Sequence, residues 1–412
     1  MRRAACAAAA MGLPLDAQQP SIRPLPDEAL FRRDPEAYWL KVREDQFYLP
    51  GWRSFLNNGS LGVAPRPVLA AVFDYLTRSA ALMLEEYPRW GYEPLDEQRQ
   101  ELADFFGCKK DELAIMHNAT AALCTIANGL DLQAGDEVLL TDQEHPSGRG
   151  CWYQKQARFG IRVREVPIPL PPKSADQLAD VMISAIGPRT RVIGFSGITT
   201  TSGLIMPVRR ICDAARAKGI LSVVDGAHMN GQIPFRLSDL GCDFFAGSPH
   251  KWMFTPAGCG MMYVREEMLD RLWSNVMSGS WNDRDMKAAR FMNIGTNNRA
   301  IIEGMMAGLR FLKQLGPDRV YARIHSLSRL AYNLAREIPG ARVLSSDDHR
   351  LYGGLIGFDL HTPAWPAIHE VLKQKRVWHI AAEHTRLSTH IHTRPRDIEE
   401  FFSIVRDGLK RA

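Results

Sequence analysis

From about residue 100 to 265, short apolar runs alternate with longer stretches of helical character. The short runs are "ELAIMH", "EVLLTD", "VREVPI", "RVIGFSGI", "LSVVDGA", "DFFAGS" and "CGMMYV". Several are nearly all apolar, the pattern of strands covered on both faces. Between them, "TAALCTIANGL" and "VRRICDAARAKG" read as helices. The first opens on a good N-cap residue and both close near glycine. Such alternation predicts an α/β fold with a mostly parallel sheet of seven strands. Residues 299–337 read as mainly helical, and the tail offers the strands "GGLIGFDL" and "TRLSTHI" and a last helix from about Arg396. The expected organisation is a large domain over 65–298 and a smaller α+β domain over 299–412. Residues 21–64 are expected to complete the small domain and reach the active site. No repeat or low-complexity linker interrupts the pattern.

Composition changes this picture little. The chain has 412 residues, 45% hydrophobic and 24% charged, enough for a large core and about two domains. Its net charge of +5 is small and mixed along the chain, which gives no nucleic-acid footprint. No apolar run reaches the roughly 18 residues of a membrane span. The seven cysteines are scattered and form no CxxC pair, which argues against a zinc site or a disulfide framework. The start, "MRRAACAAAAMGLPLDAQQPS", resembles a secretory leader of twin-arginine type cleaved near Ala17. An unstructured alanine-rich start accounts for the same residues, so exported and cytoplasmic locations both stay open. Residues 1–20 are set aside from the fold.

In an open α/β sheet, ligands bind beyond the carboxyl ends of the strands. Asp225 follows "LSVV", and a carboxylate there is costly to bury without a cationic partner. Lys251 follows the next strand, in "GSPHKWMFTPAGCG". Thr120, in "HNATAAL", sits at a helix start, where backbone N–H groups and the helix dipole suit a phosphate. His145 follows "EVLLTD". Each has a plainer reading alone: helix caps for Asp225 and Thr120, a loop histidine, an ordinary lysine beside a core loop. Together they offer a phosphate cradle, a buried amine and a carboxylate able to face a pyridine nitrogen, which is what pyridoxal 5′-phosphate needs.

Over about residues 50–405 the chain resembles the class V aminotransferases of fold type I, in the isopenicillin N epimerase-like branch. "SPHKWMFTPAGCG" resembles the family's Ser-x-His-Lys segment, "VVDGAHMNGQ" its Asp-Gly-Ala-His motif, and "LNNGSLG" the opening motif of that branch. The resemblance implies Lys251 as the Schiff-base lysine that also moves the Cα proton. It implies Asp225 on the pyridinium nitrogen, His228 on the phenolic oxygen and His145 stacked on the ring. Thr120, Ser248 and His250 would bind the phosphate, helped by the backbone of Ala119 or Ala121. Thr200 would lie near cofactor or substrate, Arg386 would grip the substrate carboxylate, and Asn58 would line the substrate pocket. The family's sites are shared across a homodimer, and Thr296 in "NIGTNN" would reach the partner's phosphate.

Two departures matter. Where the family commonly has "PHIYN" after "RLS", this chain has "THIHT", so a different substrate pocket is expected. No cysteine follows Cys259, so persulfide chemistry on a late loop cysteine lacks its nucleophile. The expected substrate is an amino acid or amino-acid-bearing peptide, with amino transfer or epimerisation at Cα. A lyase acting on a cysteine-type substrate is the alternative, and a non-catalytic binding protein is the reading from another class. A nucleotide-binding fold would need a phosphate-loop or G-x-G-x-x-G turn, and the chain has neither.

Overall fold

The computed structural model describes residues 21–86, 95–381 and 384–411. The leader expected over 1–20 lies outside the described residues. All seven expected strands form one sheet. Its order is Leu113–Met116, Gly260–Val264, Phe244–Gly247, Leu221–Gly226, Thr190–Ser196, Glu137–Thr141 and Arg162–Val166. Only Gly260–Val264 runs antiparallel to its neighbours. The central strands read as continuous apolar runs because helices cover both faces: Val192, Ile193, Val223, Val224, Phe244 and Phe245 are all buried.

This direction rule puts the ends that matter on one edge. Asn118 and the Ala119–Gly129 helix follow Leu113–Met116, His145 follows Glu137–Thr141, and Thr200 follows Thr190–Ser196. Asp225 closes Leu221–Gly226, and Lys251 follows Phe244–Gly247. The helix over 120–130 starts at Ala119, and its cap is Asn118 rather than Thr120: the Asn118 side chain accepts from the Ala121 N–H. Asparagine reaches its own N3 amide, so it outcompetes the threonine two residues on.

The tail forms a four-stranded antiparallel sheet in the order Ile380–Ala381, Thr385–Ser388, Leu355–Leu360 and Ala341–Val343. The N-terminal segment reaches this region: Ser54–Phe55 pairs with Val377–Trp378 in a separate two-stranded sheet, and Asn57 bridges to Ser388. A second apolar core lies there, with Phe358, Phe401, Phe402 and Val405. The Arg299–Leu315 helix, just past residue 298, buries Met305, Met306 and Leu309 in the first core.

One contact ties "LNNGSLG" to the lysine loop. A Cβ on Gly62 would lie 2.3 Å from the backbone oxygen of Lys251, and the Gly62 N–H donates to the His250 carbonyl. Backbone on both sides cannot give way. Gly62→Ala is therefore expected to cost about 1–3 kcal/mol in chemical denaturation, the range for overpacking. Gly51→Ala meets open space and should change stability by less than about 0.5 kcal/mol.

Candidate active site

A cavity of about 500 Å³ opens at the strand ends. Ala119, Thr120, His145, Thr200, Asp225, His228, Ser248, His250, Lys251 and Arg386 all line it, so ten of the expected site residues meet in one place.

At one end lies the helix N-terminus. The Ala119 N–H donates to Ser248 Oγ at 3.1 Å, which leaves the Ser248 O–H free to donate to an anion. The Thr120 N–H has no partner among the described residues, as expected of a first-turn amide. The Ala121 N–H is spent on Asn118, and Ala121 lines a different cavity, so Ala121 is not part of the cradle here. Close approach of this helix depends on Gly260, whose Cβ would sit 2.4 Å from the Asn118 nitrogen. His250 Nδ1 donates to the Cys259 carbonyl at 2.7 Å. Its Nε2 is then unprotonated in the neutral ring, and burial lowers its pKa further. It can donate to a phosphate only as an imidazolium.

Mid-cavity, Asp225 Oδ1 accepts from the Ala227 N–H at 2.9 Å. Burial raises its pKa, and the Ala227 N–H, Lys251 and His145 pull it back down. Lys251 Nζ lies 3.1 Å from His228 Nε2. Burial pulls the lysine down to about 8, with Asp225 opposing and Arg386 reinforcing that fall. His228 is held well below its usual value by burial and then by the Lys251 charge. His145 caps the Pro146–Phe159 helix: its Nδ1 accepts from the Ser147 N–H at 3.1 Å. That leaves its ring proton on Nε2.

At the far end, Arg386 comes from Thr385–Ser388, an inner strand of the second sheet. It donates to the Thr200 carbonyl and Thr200 Oγ1, each at 3.1 Å, to Asn57 Oδ1 at 3.0 Å and to Ser60 Oγ at 2.9 Å. All four acceptors are neutral, and burial brings the guanidinium down to about 10. Its Nε is buried without a partner. A buried cation with no described carboxylate beside it keeps an uncompensated charge that an anion could meet.

Besides Ala121, two expected residues fall elsewhere. Asn58 is fully buried behind the cavity: its Nδ2 donates to the Lys251 carbonyl at 2.7 Å, and its Oδ1 faces His392 Nε2 at 3.2 Å. Its neighbours Asn57 and Ser60 reach Arg386 instead. Thr296 is exposed and does not line the cavity. The "THIHT" departure also misses the cavity: His390 and His392 are buried behind the lysine loop. Glu144 was not anticipated. It accepts from Thr141 Oγ1, Ser196 N and Ser196 Oγ, yet burial pushes it up to about 7, with Asp225 adding to the rise. The signal was present, because it is a carboxylate at a strand end like Asp225.

The family profile described as "Aminotransferase class-V" matches residues 55–408. The chain belongs to the class V aminotransferase family. Among curated proteins it is similar to the isopenicillin N epimerase of Streptomyces clavuligerus, 33% identical over 74% of this chain and 80% of that protein. It is also similar to the isopenicillin N epimerase of Amycolatopsis lactamdurans, 37% identical over 56% of this chain and 58% of that one. Cysteine desulfurases match at 22–29% identity. Among solved structures, a C-DES mutant with glycine covalently linked to its pyridoxal phosphate superimposes with a TM-score of 0.75. That pair is 25% identical over 86% of this chain and 96% of the other. The family enzyme's cofactor is pyridoxal 5′-phosphate, and the residues present fit it: an open helix N-terminus with Ser248, a buried amine beside a buried carboxylate, and an uncompensated guanidinium.

Lys251 generates the first prediction about this site. With its amine at about 8, cofactor-stripped protein should capture pyridoxal phosphate faster as pH rises. The sign follows from the amine being the reactive form. The rate should climb about tenfold per unit below the midpoint and flatten above it. Stopped-flow spectra across pH 6–10 would check this, and a midpoint near the ordinary lysine value would contradict a desolvated amine.

Proposed function

We propose that this enzyme moves a proton at the α-carbon of an amino acid or amino-acid-bearing peptide, leading to epimerisation or amino transfer. The observation that carries the reading is Arg386: a buried guanidinium, neutralised by no described carboxylate, lines the same cavity as Lys251. Bound pyridoxal phosphate supplies a sink for the electron pair left when a bond at Cα breaks. Lys251 would hold the cofactor and, once freed by substrate, would take the Cα proton; amino transfer would then deliver a proton to the cofactor, and epimerisation would need one delivered to the opposite face of Cα by a second group. Asp225 keeps a proton on the pyridine nitrogen by its charge, so the sink stays strong. Ser248 and the Thr120 N–H would hold the phosphate, and His145 would wall the ring.

A second reading, elimination from a cysteine-type substrate, draws support from the likeness to C-DES, described elsewhere as a cystine C–S lyase. Persulfide relay draws no support from the described cavity lining. The described cysteines are Cys108, Cys124, Cys151, Cys212, Cys242 and Cys259, and none lines the cavity.

Arg386 provides the test. Arg386→Ala should weaken substrate binding by about 2–5 kcal/mol, the range for removing one partner of a buried hydrogen-bonded charge pair. Arg386→Lys should recover only part, since an ammonium cannot reproduce the planar fork. The readout is the substrate dependence of the cofactor's visible spectrum across a panel of amino acids and small peptides. Equal half-saturation in wild type and Arg386→Ala would mean the carboxylate is held elsewhere. Solvent-deuterium incorporation at Cα, product chirality and the fate of nitrogen and sulfur then separate the readings.

We also infer a homodimer with shared sites. Thr296 is exposed, and Asn297 and Asn298 beside it line a separate cavity of about 550 Å³ with Ile115, Met116 and Phe291. Light scattering of the cofactor-loaded protein should give twice the chain mass, and an active monomer would overturn this.

A further inference from the structure

Trp252 follows Lys251 and is wholly buried, yet its indole N–H does not go to a backbone carbonyl. It donates to His228 Nδ1 at 3.3 Å. An indole nitrogen can only donate, so Nδ1 must present its lone pair. The single proton of the neutral His228 ring is then on Nε2, the atom 3.1 Å from Lys251 Nζ. An N–H pointing at that nitrogen can be accepted by a free amine and not by an ammonium.

We propose that Trp252 is a positioning residue that fixes the His228 tautomer, and through it selects the unprotonated, reactive form of Lys251.

The surroundings hold Trp252 for this task. Its carbonyl accepts from His390 Nε2 at 3.0 Å, and its ring stacks on His390 at 5.8 Å. His390 Nδ1 accepts from the Ile391 N–H, which leaves Nε2 as the donor. Gly354 makes room, because a Cβ there would lie 2.7 Å from the indole ring. The Gly354 N–H donates to Gln232 Oε1, and Gln232 Nε2 donates to the His228 carbonyl at 2.6 Å. Both ends of the indole–imidazole bond are thus fixed by neighbours outside it. The charged and titratable groups that act on Lys251 or His228 are Asp225, Arg386, His145 and His250. Asp225 favours the ammonium, so burial, Arg386 and the His228 N–H must together outweigh it.

The proposal rests on Lys251 being the cofactor lysine, but its first readout does not. In full-length protein with ¹⁵N-labelled histidine, the His228 signals, assigned by their loss in His228→Gln, should show a proton on Nε2 and a bare Nδ1. A proton on Nδ1 in the wild type overturns the proposal outright, whether or not any variant folds. Trp252→Phe keeps the stacked ring and removes only the donor. It should leave His228 a mixture of tautomers, because Nε2 can then accept from the ammonium. The pH midpoint of cofactor capture should move up by about one unit, a tenfold loss of reactive amine below it. A folded Trp252→Phe that binds cofactor with an unmoved midpoint would sink the idea. Failure of Lys251 to carry the cofactor, with the tautomer as expected, would instead count against the functional reading above.

Discussion

Two cations, Lys251 and Arg386, share one cavity in which Asp225 is the single carboxylate among the described lining residues. Taking a charge out of water costs several kcal/mol even after relaxation. The chain meets that cost in two ways. Arg386 receives neutral oxygens from Thr200, Asn57 and Ser60, which stabilise the guanidinium without cancelling its charge. Lys251 is left to lose its proton near pH 8. The result is a cavity with surplus positive potential at one end, a reactive amine in the middle and open amide donors at the other end. An anionic cofactor bearing an aldehyde, and the carboxylate-bearing substrate proposed above, would complete that electrostatics.

This imbalance needs a rigid lysine loop, and the support comes from a distance in sequence. The Lys251 carbonyl is held by Asn58 Nδ2, and the Trp252 carbonyl by His390. Gly62 lets its own strand of chain touch Lys251. Two segments, "LNNGSLG" and "THIHT", therefore converge on the backbone of two residues. The "THIHT" stretch belongs to this support. His392 bonds the Asn58 side chain and stacks on His390 at 5.4 Å, so the change from the family pattern bears on the loop's scaffold and not on the pocket.

The sheet was legible because its signal is local. Seven short apolar runs bounded by turns can hardly be anything but covered strands, and the carboxyl-end rule then located Asp225, Lys251 and His145. What could not be read was which atom each side chain faces. Asn58 and Ser60 belong to one motif, yet the first points behind the cavity and the second into it. Two residues apart in an irregular turn, no periodicity separates them. Thr120 and Asn118 both suit a helix cap, and only the observed backbone turn decides for Asn118. Glu144 hid beside His145, since a strand-end carboxylate next to a conspicuous histidine reads as a solvated loop acid. Its burial depends on Thr141 and Ser196, which come from two different strands. The short strands at Ala341–Val343, Val377–Trp378 and Ile380–Ala381 carry too few residues to show alternation at all.

The similar proteins carry out different reactions, so the features they share cannot choose among them. In the reading proposed above, Lys251, Asp225 and the helix N-terminus would set what the cofactor can do. The choice must lie with groups that see the rest of the substrate. Here those groups flank Arg386: Gly59 and Ser60 from the N-terminal segment, Thr200 from the loop after Thr190–Ser196, and Ile380 from the edge of the second sheet. Three separate segments meet there, and the guanidinium bonds two of them. Binding a carboxylate to Arg386 would therefore act on the loop positions that shape the side-chain pocket. Were Arg386 to hold the α-carboxylate as proposed, recognition of that group and discrimination among side chains would be mechanically joined. No described cysteine lies among the lining residues, whereas Lys251, Asp225, His145 and Arg386 do.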